Sequence, residues 1–337
     1  MKTMRPFLIF CFCSLLVSIS CVCFVTFYAP ADTAVAKEGD FIRWVDFNVS
    51  YAALSDCLAY DVKTFGTDVH VSWIDLLAYL AAKGDGTFQS YKTSDLTRLT
   101  DELNKGTELS SLTKSLKSFP YYKEAYSAVL GGFVGEYEIE TDTGTTEKKY
   151  GLKAFSPVAK GYAYSDFDDF GAGRSYGFKR KHLGHDMMGS VGTPVIAVES
   201  GYVECHGWNQ YGGWRIGIRS FDKKRYYYYA HLRKDHPYND MYEGKAVTAG
   251  EVIGYLGMTG YSTKENVNNI NTPHLHWGMQ LIFDESQKDA VSEIWIDLYA
   301  ITKLLAKNRS AVYRPEGSNE WERRYQMFEP VTDAFSH

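Results

Sequence analysis

The stretch His182-Leu183-Gly184-His185-Asp186, read with the downstream Pro273-His274-Leu275-His276, decides how this chain is understood. The second piece runs into Trp277-Gly278-Met279-Gln280-Leu281-Ile282-Phe283, rich in the aromatic and branched residues that favour strands. Side chains two apart on a strand share a face, so His274 and His276 project to one spot. His182 and Asp186 have the spacing of one helix face, but Gly184, Gly189 and Gly192 crowd the window and argue against a helix. A loop running into a strand at 193–203 fits better. Two histidines and one carboxylate leave a fourth tetrahedral position for water, which is the donor set of a catalytic zinc rather than a structural one.

The whole chain sets the bounds. Its 337 residues give room for two ordinary domains. Against 36 Lys and Arg stand 41 Asp and Glu, a formal charge of −5 with no basic patch, so nucleic acid is not expected as a partner. The 26 Tyr and 7 Trp suit sugar or peptide contacts in a groove, although plain packing uses them equally well.

At the N-terminus Lys2 and Arg5 precede an uncharged apolar run at 7–29. It exceeds the about 7–15 residues of a signal-peptide core and reaches the about 20 needed to span a bilayer. Positive charge before the run and Asp32, Glu38 and Asp40 after it place the N-terminus inside and the rest outside. Ala29-Pro30-Ala31 and Ala34-Val35-Ala36 offer cleavage as the alternative, which would secrete the same domains. The expectation is a single-pass membrane protein with its catalytic part extracellular. Cys11, Cys13, Cys21 and Cys23 lie in the run, and Cys57 and Cys205 are expected as unpaired, buried thiols.

Helical spacing is predicted over 51–64 (Leu54, Cys57, Leu58, Val62) and 72–83 (Ile74, Leu77, Ala78, Ala81), with shorter helices at 94–104, 108–116 and 121–130. At 140–149 the chain turns polar and aperiodic, as a linker or an exposed hairpin. Short strands broken by glycine follow at 193–203, 214–219, 226–231, 252–256 and 276–283, then a helix at 296–306 and an irregular tail from 314. Alternation along Tyr226-Tyr227-Tyr228-Tyr229-Ala230-His231 places His231 on a face with Tyr229 and Tyr227.

In order, His182-x-Gly-x-Asp186, Gly192-Thr-Pro-Val-x-Ala197, Gly201-x-Val203, Tyr229-Ala-His231-Leu, Gly250-x-x-Ile-Gly254, Gly257-x-Thr-Gly260-x-Ser262 and Pro273-His-x-His276 make up a pattern. It resembles the lysostaphin/LytM-type zinc endopeptidases, which cut peptide cross-links of bacterial peptidoglycan, over about residues 151–285. The resemblance implies a mostly antiparallel sheet with a groove across it, zinc held by His182, Asp186 and His276, and His231 and His274 as unliganded catalytic histidines. A histidine beside the metal can take a proton from water and another can donate to the oxyanion; His274 is assigned as base and His231 as oxyanion donor. No His-Glu-x-x-His occurs, so a glutamate-based zincin mechanism is out.

The predicted fold class is therefore α+β: a membrane or signal segment at 1–36, a helical domain of unknown role at 37–140, a lysostaphin-type peptidase domain at 141–285, and a C-terminal helix and tail at 286–337. The expected partners are peptidoglycan peptide and, through the N-terminal helix, the membrane. Segments 264–271 and 233–244 are long for the resemblance and would border the groove. His185 is expected to point away from the metal, Cys205-His206 to be structural, and Tyr176 is a candidate substrate contact. Two other readings stand beside the peptidase: a non-catalytic envelope scaffold or wall-binding protein that keeps the fold, and a bifunctional wall hydrolase whose helical region carries a lysozyme-like carboxylate, for which Glu102, Glu108 and Glu124 are available.

Overall fold

A computed structural model describes residues 41–175, 179–288, 293–330 and 332. The apolar run 7–29 and Tyr176 lie outside the described residues. Among the described residues no helix is long and apolar enough to cross a membrane.

Five helices come first: α1 Tyr51–Thr64, α2 Trp73–Lys83, α3 Thr93–Asn104, α4 Leu109–Thr113 and α5 Phe119–Leu130. Ser50 and Ser72 cap α1 and α2, their hydroxyls accepting from the Ala53 and Asp75 amides at 3.3 and 3.2 Å. Leu54 and Cys57 of α1 and Leu77, Ala78 and Ala81 of α2 are buried as their spacing requires, whereas Val62 stays exposed. The polar stretch at 140–149 is a hairpin: β1 Val134–Glu140 pairs with β2 Thr146–Leu152. Tyr150 of β2 donates at 2.7 Å to Asp61 of α1, a fully buried carboxylate that also contacts His70 at 2.8 Å and accepts from the Trp73 amide at 2.8 Å. Hairpin and helices are thereby tied, because a buried carboxylate is tolerated only when its lone pairs are filled.

The strands that follow are β3 Gly173–Ser175, β4 Lys179–Lys181, β5 His185–Met188, β6 Pro194–Ile196, β7 Gly201–Asn209, β8 Gly213–Ser220, β9 Arg225–Ala230, β10 Ala246–Val247, β11 Val252–Tyr255, β12 His274–Leu281 and β13 Ile294–Trp295, and then α6 Tyr299–Leu305. The main sheet runs β10-β7-β8-β9-β12-β13, with β5 also against β12. All of its pairs are antiparallel.

Three expectations need correction. The strand expected at 193–203 is two strands, β6 and β7, in different sheets; the chain leaves one ladder between them, where the Val198 amide bonds to the Tyr229 hydroxyl at 3.0 Å. The loop expected around Asp186 is strand β5, whose backbone is satisfied by a partner far along the chain. The tail from 314 is partly ordered as strand, Met327–Phe328 pairing with β1.

Alternate residues of β9 and β12 (Tyr227, Tyr229, Leu275, Trp277 and Met279) are fully buried and form one continuous cluster with residues of α1, α2, α5 and α6. On that same face Arg225 donates bidentately to Glu199 at 2.7 and 3.0 Å and to the Ala128 carbonyl of α5 at 2.7 Å. Removing one partner of such a buried pair costs about 3–5 kcal/mol, so this contact locks the helices onto the sheet. The other face of β12 is left for chemistry.

Candidate metal centre

The register of β12 builds the centre. His276 stands opposite Asp186 of β5 on one side and Ala230 of β9 on the other. Directly paired residues project to the same face, so Asp186 and His276 meet above the core. His182 enters from the end of β4. Its Nε2 lies 3.1 Å from Asp186 Oδ1 and 3.1 Å from His276 Nδ1, and the last two atoms are 2.8 Å apart. Three Lewis-basic atoms crowded so closely, all within 4.8 Å of one another, are what a divalent cation would hold together. Gly184 makes the approach possible: a Cβ there would lie 2.5 Å from Cε1 and Nε2 of the His276 ring.

Electrostatics agree with that chemistry. Burial works to raise the Asp186 carboxyl, but hydrogen bonds from His182 and His276 outweigh it and hold the group ionised far below the usual range. Burial keeps His276 below its ordinary value despite Asp186. Burial also lowers His182, yet Asp186 and Asp169 reverse the sign and raise it.

A residue that sequence reasoning missed orients the first ligand. Residues 165–172 run alongside 182–188, from the Ser165–Met188 bridge to the Gly171 amide on the His182 carbonyl at 2.7 Å. This strap presents a carboxylate to each side of the ligand segment. Asp169 Oδ1 accepts from His182 Nδ1 at 2.9 Å, which fixes the tautomer and leaves Nε2 as the donor to a metal. Asp166 takes His185 Nε2 at 2.8 Å on the opposite face, where that ring packs against Tyr299. Arg174 bonds Asp169 and reaches Asp186 Oδ2 at 3.5 Å. Asp169→Asn should therefore weaken zinc about 10–100-fold in chelator competition. Asp166→Asn, on the far face, should leave zinc affinity unchanged, and equal losses in both would remove Asp169 from this role.

Two further histidines complete the face. His274 gives its Nδ1 hydrogen to the Thr272 carbonyl at 2.8 Å, and its Nε2 lies 3.8 Å from Asp186 Oδ1. His231 gives its Nδ1 hydrogen to the Thr259 carbonyl at 2.9 Å. Both rings thus keep a basic Nε2. Their centroids are 4.7 Å apart, and His231 is 5.9 Å from His276. Burial first, then His274 and His276, push the His231 imidazolium well below the ordinary range, so the resting ring is neutral.

The face expected for His231 is corrected. It follows β9 with φ +60°, and this left-handed turn swings its ring away from buried Tyr227 and Tyr229 to the side of Tyr228 and His276. Gly260, at φ +119°, gives it room; a Cβ there would lie 3.0 Å from His231 Nδ1.

The remaining sequence candidates fall elsewhere. Cys57 and Cys205 are unpaired; Cys57 is buried, but Cys205 is only half-buried, with Sγ 3.1 Å from the Tyr226 hydroxyl and accepting from Arg215 at 2.9 Å. The two long segments fasten to each other: the Asn266 side chain accepts from Trp214 Nε1 and the Asp235 amide, both at 2.9 Å, and donates to Asp235 Oδ1 at 2.7 Å. Glu102 lines a groove of about 700 Å³ on the helical region and pairs with Lys105 at 2.8 Å, while Glu108 and Glu124 are exposed.

An antiparallel sheet carrying a His-Asp-His cluster able to hold a metal, with two more imidazoles facing it, is an arrangement suited to metal-dependent hydrolysis. Residues 180–290 match Peptidase family M23. An L-Ala–D-Glu endopeptidase of Bacillus subtilis is 38% identical over 123 residues, 36% of this chain and 36% of that protein. Lysostaphin of Staphylococcus simulans is 39% identical over 119 residues, 35% of this chain and 20% of that protein. The chain thus spans only about a third of the length of the first relative and about a fifth of the second. A Ruminococcus gnavus structure described as a LytM glycyl-glycine endopeptidase superposes with a TM-score of 0.50 at 25% identity, covering 78% of this chain and 89% of that one. That coverage is more than the sheet region alone occupies, so the likeness takes in helical residues as well.

Proposed function

We propose that the protein is a zinc-dependent endopeptidase that cleaves peptide bonds of bacterial peptidoglycan. The observation that carries this is the convergence of His182, Asp186 and His276 beneath the two basic Nε2 atoms of His274 and His231, within the family-matched segment. Relatives named for cutting L-Ala–D-Glu and glycyl-glycine bonds support the substrate class. The chemistry that zinc supplies when bound is a water made acidic near neutral pH and a polarised scissile carbonyl.

The chain's own residues do the rest. His274, nearer to the Asp186 carboxylate, takes the proton of the attacking water at Nε2 and returns it to the leaving amine. His231 is neutral at rest and has only a lone pair at Nε2, so it accepts a hydrogen bond from the attacking water and orients it; donation to the oxyanion, the role expected from the sequence, would need the opposite tautomer. Asp169 and the Thr259 and Thr272 carbonyls hold the three rings in their working tautomers. The charge pattern around the apolar run 7–29 supports placing this activity outside a membrane, with that run as anchor.

Incubating the full chain, purified in detergent, with peptidoglycan and analysing the fragments by mass tests the reading. New amino termini are expected. New reducing sugar ends would instead favour a glycan-cleaving helical region, and zinc retained without products would favour a scaffold.

A further inference from the structure

The β3-β4 ribbon sets two arginines directly opposite each other, Arg174 against Arg180. Directly paired residues share a face, and like charges there are destabilising, so the arrangement needs a reason. Arg174 has one: it bonds Asp169 and reaches Asp186 at 3.5 Å, which shows that the shared face looks onto the metal centre. Arg180 has no carboxylate partner among the described residues. Its guanidinium is held by the Tyr261 hydroxyl and lies 5.1 Å over the Tyr261 ring, and its Nε is buried without a hydrogen-bond partner. Tyr261 in turn packs against His231, with ring centroids 5.7 Å apart.

An unneutralised, half-buried guanidinium fixed one ring away from a catalytic histidine is poised for an anion. Its planar fork matches a carboxylate, and a buried donor left unpaired costs free energy until something accepts from it. We propose that Arg180, held by Tyr261, is a carboxylate subsite that selects peptides carrying a free carboxylate on a residue next to the scissile bond over their amidated or glycine counterparts. This rests on the peptidase reading for which bond is cut, but binding alone can test it. The neutral-substrate alternative predicts no use for the charge.

The probes are the peptide L-Ala-γ-D-Glu-L-Lys with the α-carboxylate of its glutamate free, and the same peptide with that group as a carboxamide. Affinities are measured by titration calorimetry on the zinc-loaded full chain in detergent. The wild type should bind the acid about 10- to 100-fold more tightly than the amide, the scale of one charge-assisted contact. Arg180→Gln should close the gap while keeping zinc and the melting temperature, since it removes a like-charge pair. Arg180→Lys should keep part of it. Should the glutamine variant not fold, Tyr261→Phe, which frees the guanidinium without removing it, should shrink the gap. Equal affinities in the wild type, or a gap unchanged in Arg180→Gln or Tyr261→Phe, would overturn the subsite. Cleavage separates the two ideas: a preference without cleavage keeps the subsite and removes the peptidase, whereas equal cleavage of both peptides does the reverse.

Discussion

If the proposed function holds, His276→Ala should abolish stoichiometric zinc and, with it, peptidoglycan hydrolysis. His276 is the residue on which the centre converges: its Nδ1 lies 2.8 Å from Asp186 Oδ1 and 3.1 Å from His182 Nε2. Without it one histidine and one carboxylate remain, and the loss exceeds the about 10–100-fold that removing an outer partner costs. The fold survives, because Leu275, Trp277 and Met279 on the buried side of β12 are untouched. Gly184→Ala should give the same phenotype by another route, its methyl group colliding with the His276 ring at 2.5 Å. Metal analysis after dialysis, read beside a melting curve, checks both. One zinc per chain in His276→Ala would remove this residue from the ligand set.

His274→Ala and His231→Ala should each retain zinc and lose activity by about 10²–10⁴, the usual worth of a positioned acid or base. Neither side chain belongs to the converging trio, so metal content should match the wild type. The double variant should be far less than additive, since both rings act on the same reacting water and stand 4.7 Å apart. Of the two, His231→Ala should also cost stability, because its loss orphans the buried Thr259 carbonyl, whereas the His274 partner is at an exposed turn. Full hydrolysis by either variant would strip that histidine of its role.

Much of this was legible before any coordinates. Alternation in His274-Leu275-His276 told which residues share a face, whereas only the structure shows Thr259 accepting from His231. The helices were readable because their apolar spacing is a local signal. What local signals miss is pairing at a distance. The glycines around Asp186 speak against a helix, but nothing in them announces that 185–188 will find β12. Asp169 sits in an acidic run with no periodicity, and only the tertiary alignment of 165–172 with 182–188 gives it a histidine to hold. His231 misled for a similar reason, since one left-handed residue at a strand end cancels the alternation rule.

The position of β5 has a consequence for how the molecule comes apart. It is a four-residue strand with one named partner in the main sheet, and two of the three metal donors lie on it or just before it. The ion would act as a clasp between this peripheral ribbon and the body of the protein. Chelation should then loosen the ribbon before the core, so that scarcity of the metal is felt first as fraying at one margin and not as collapse.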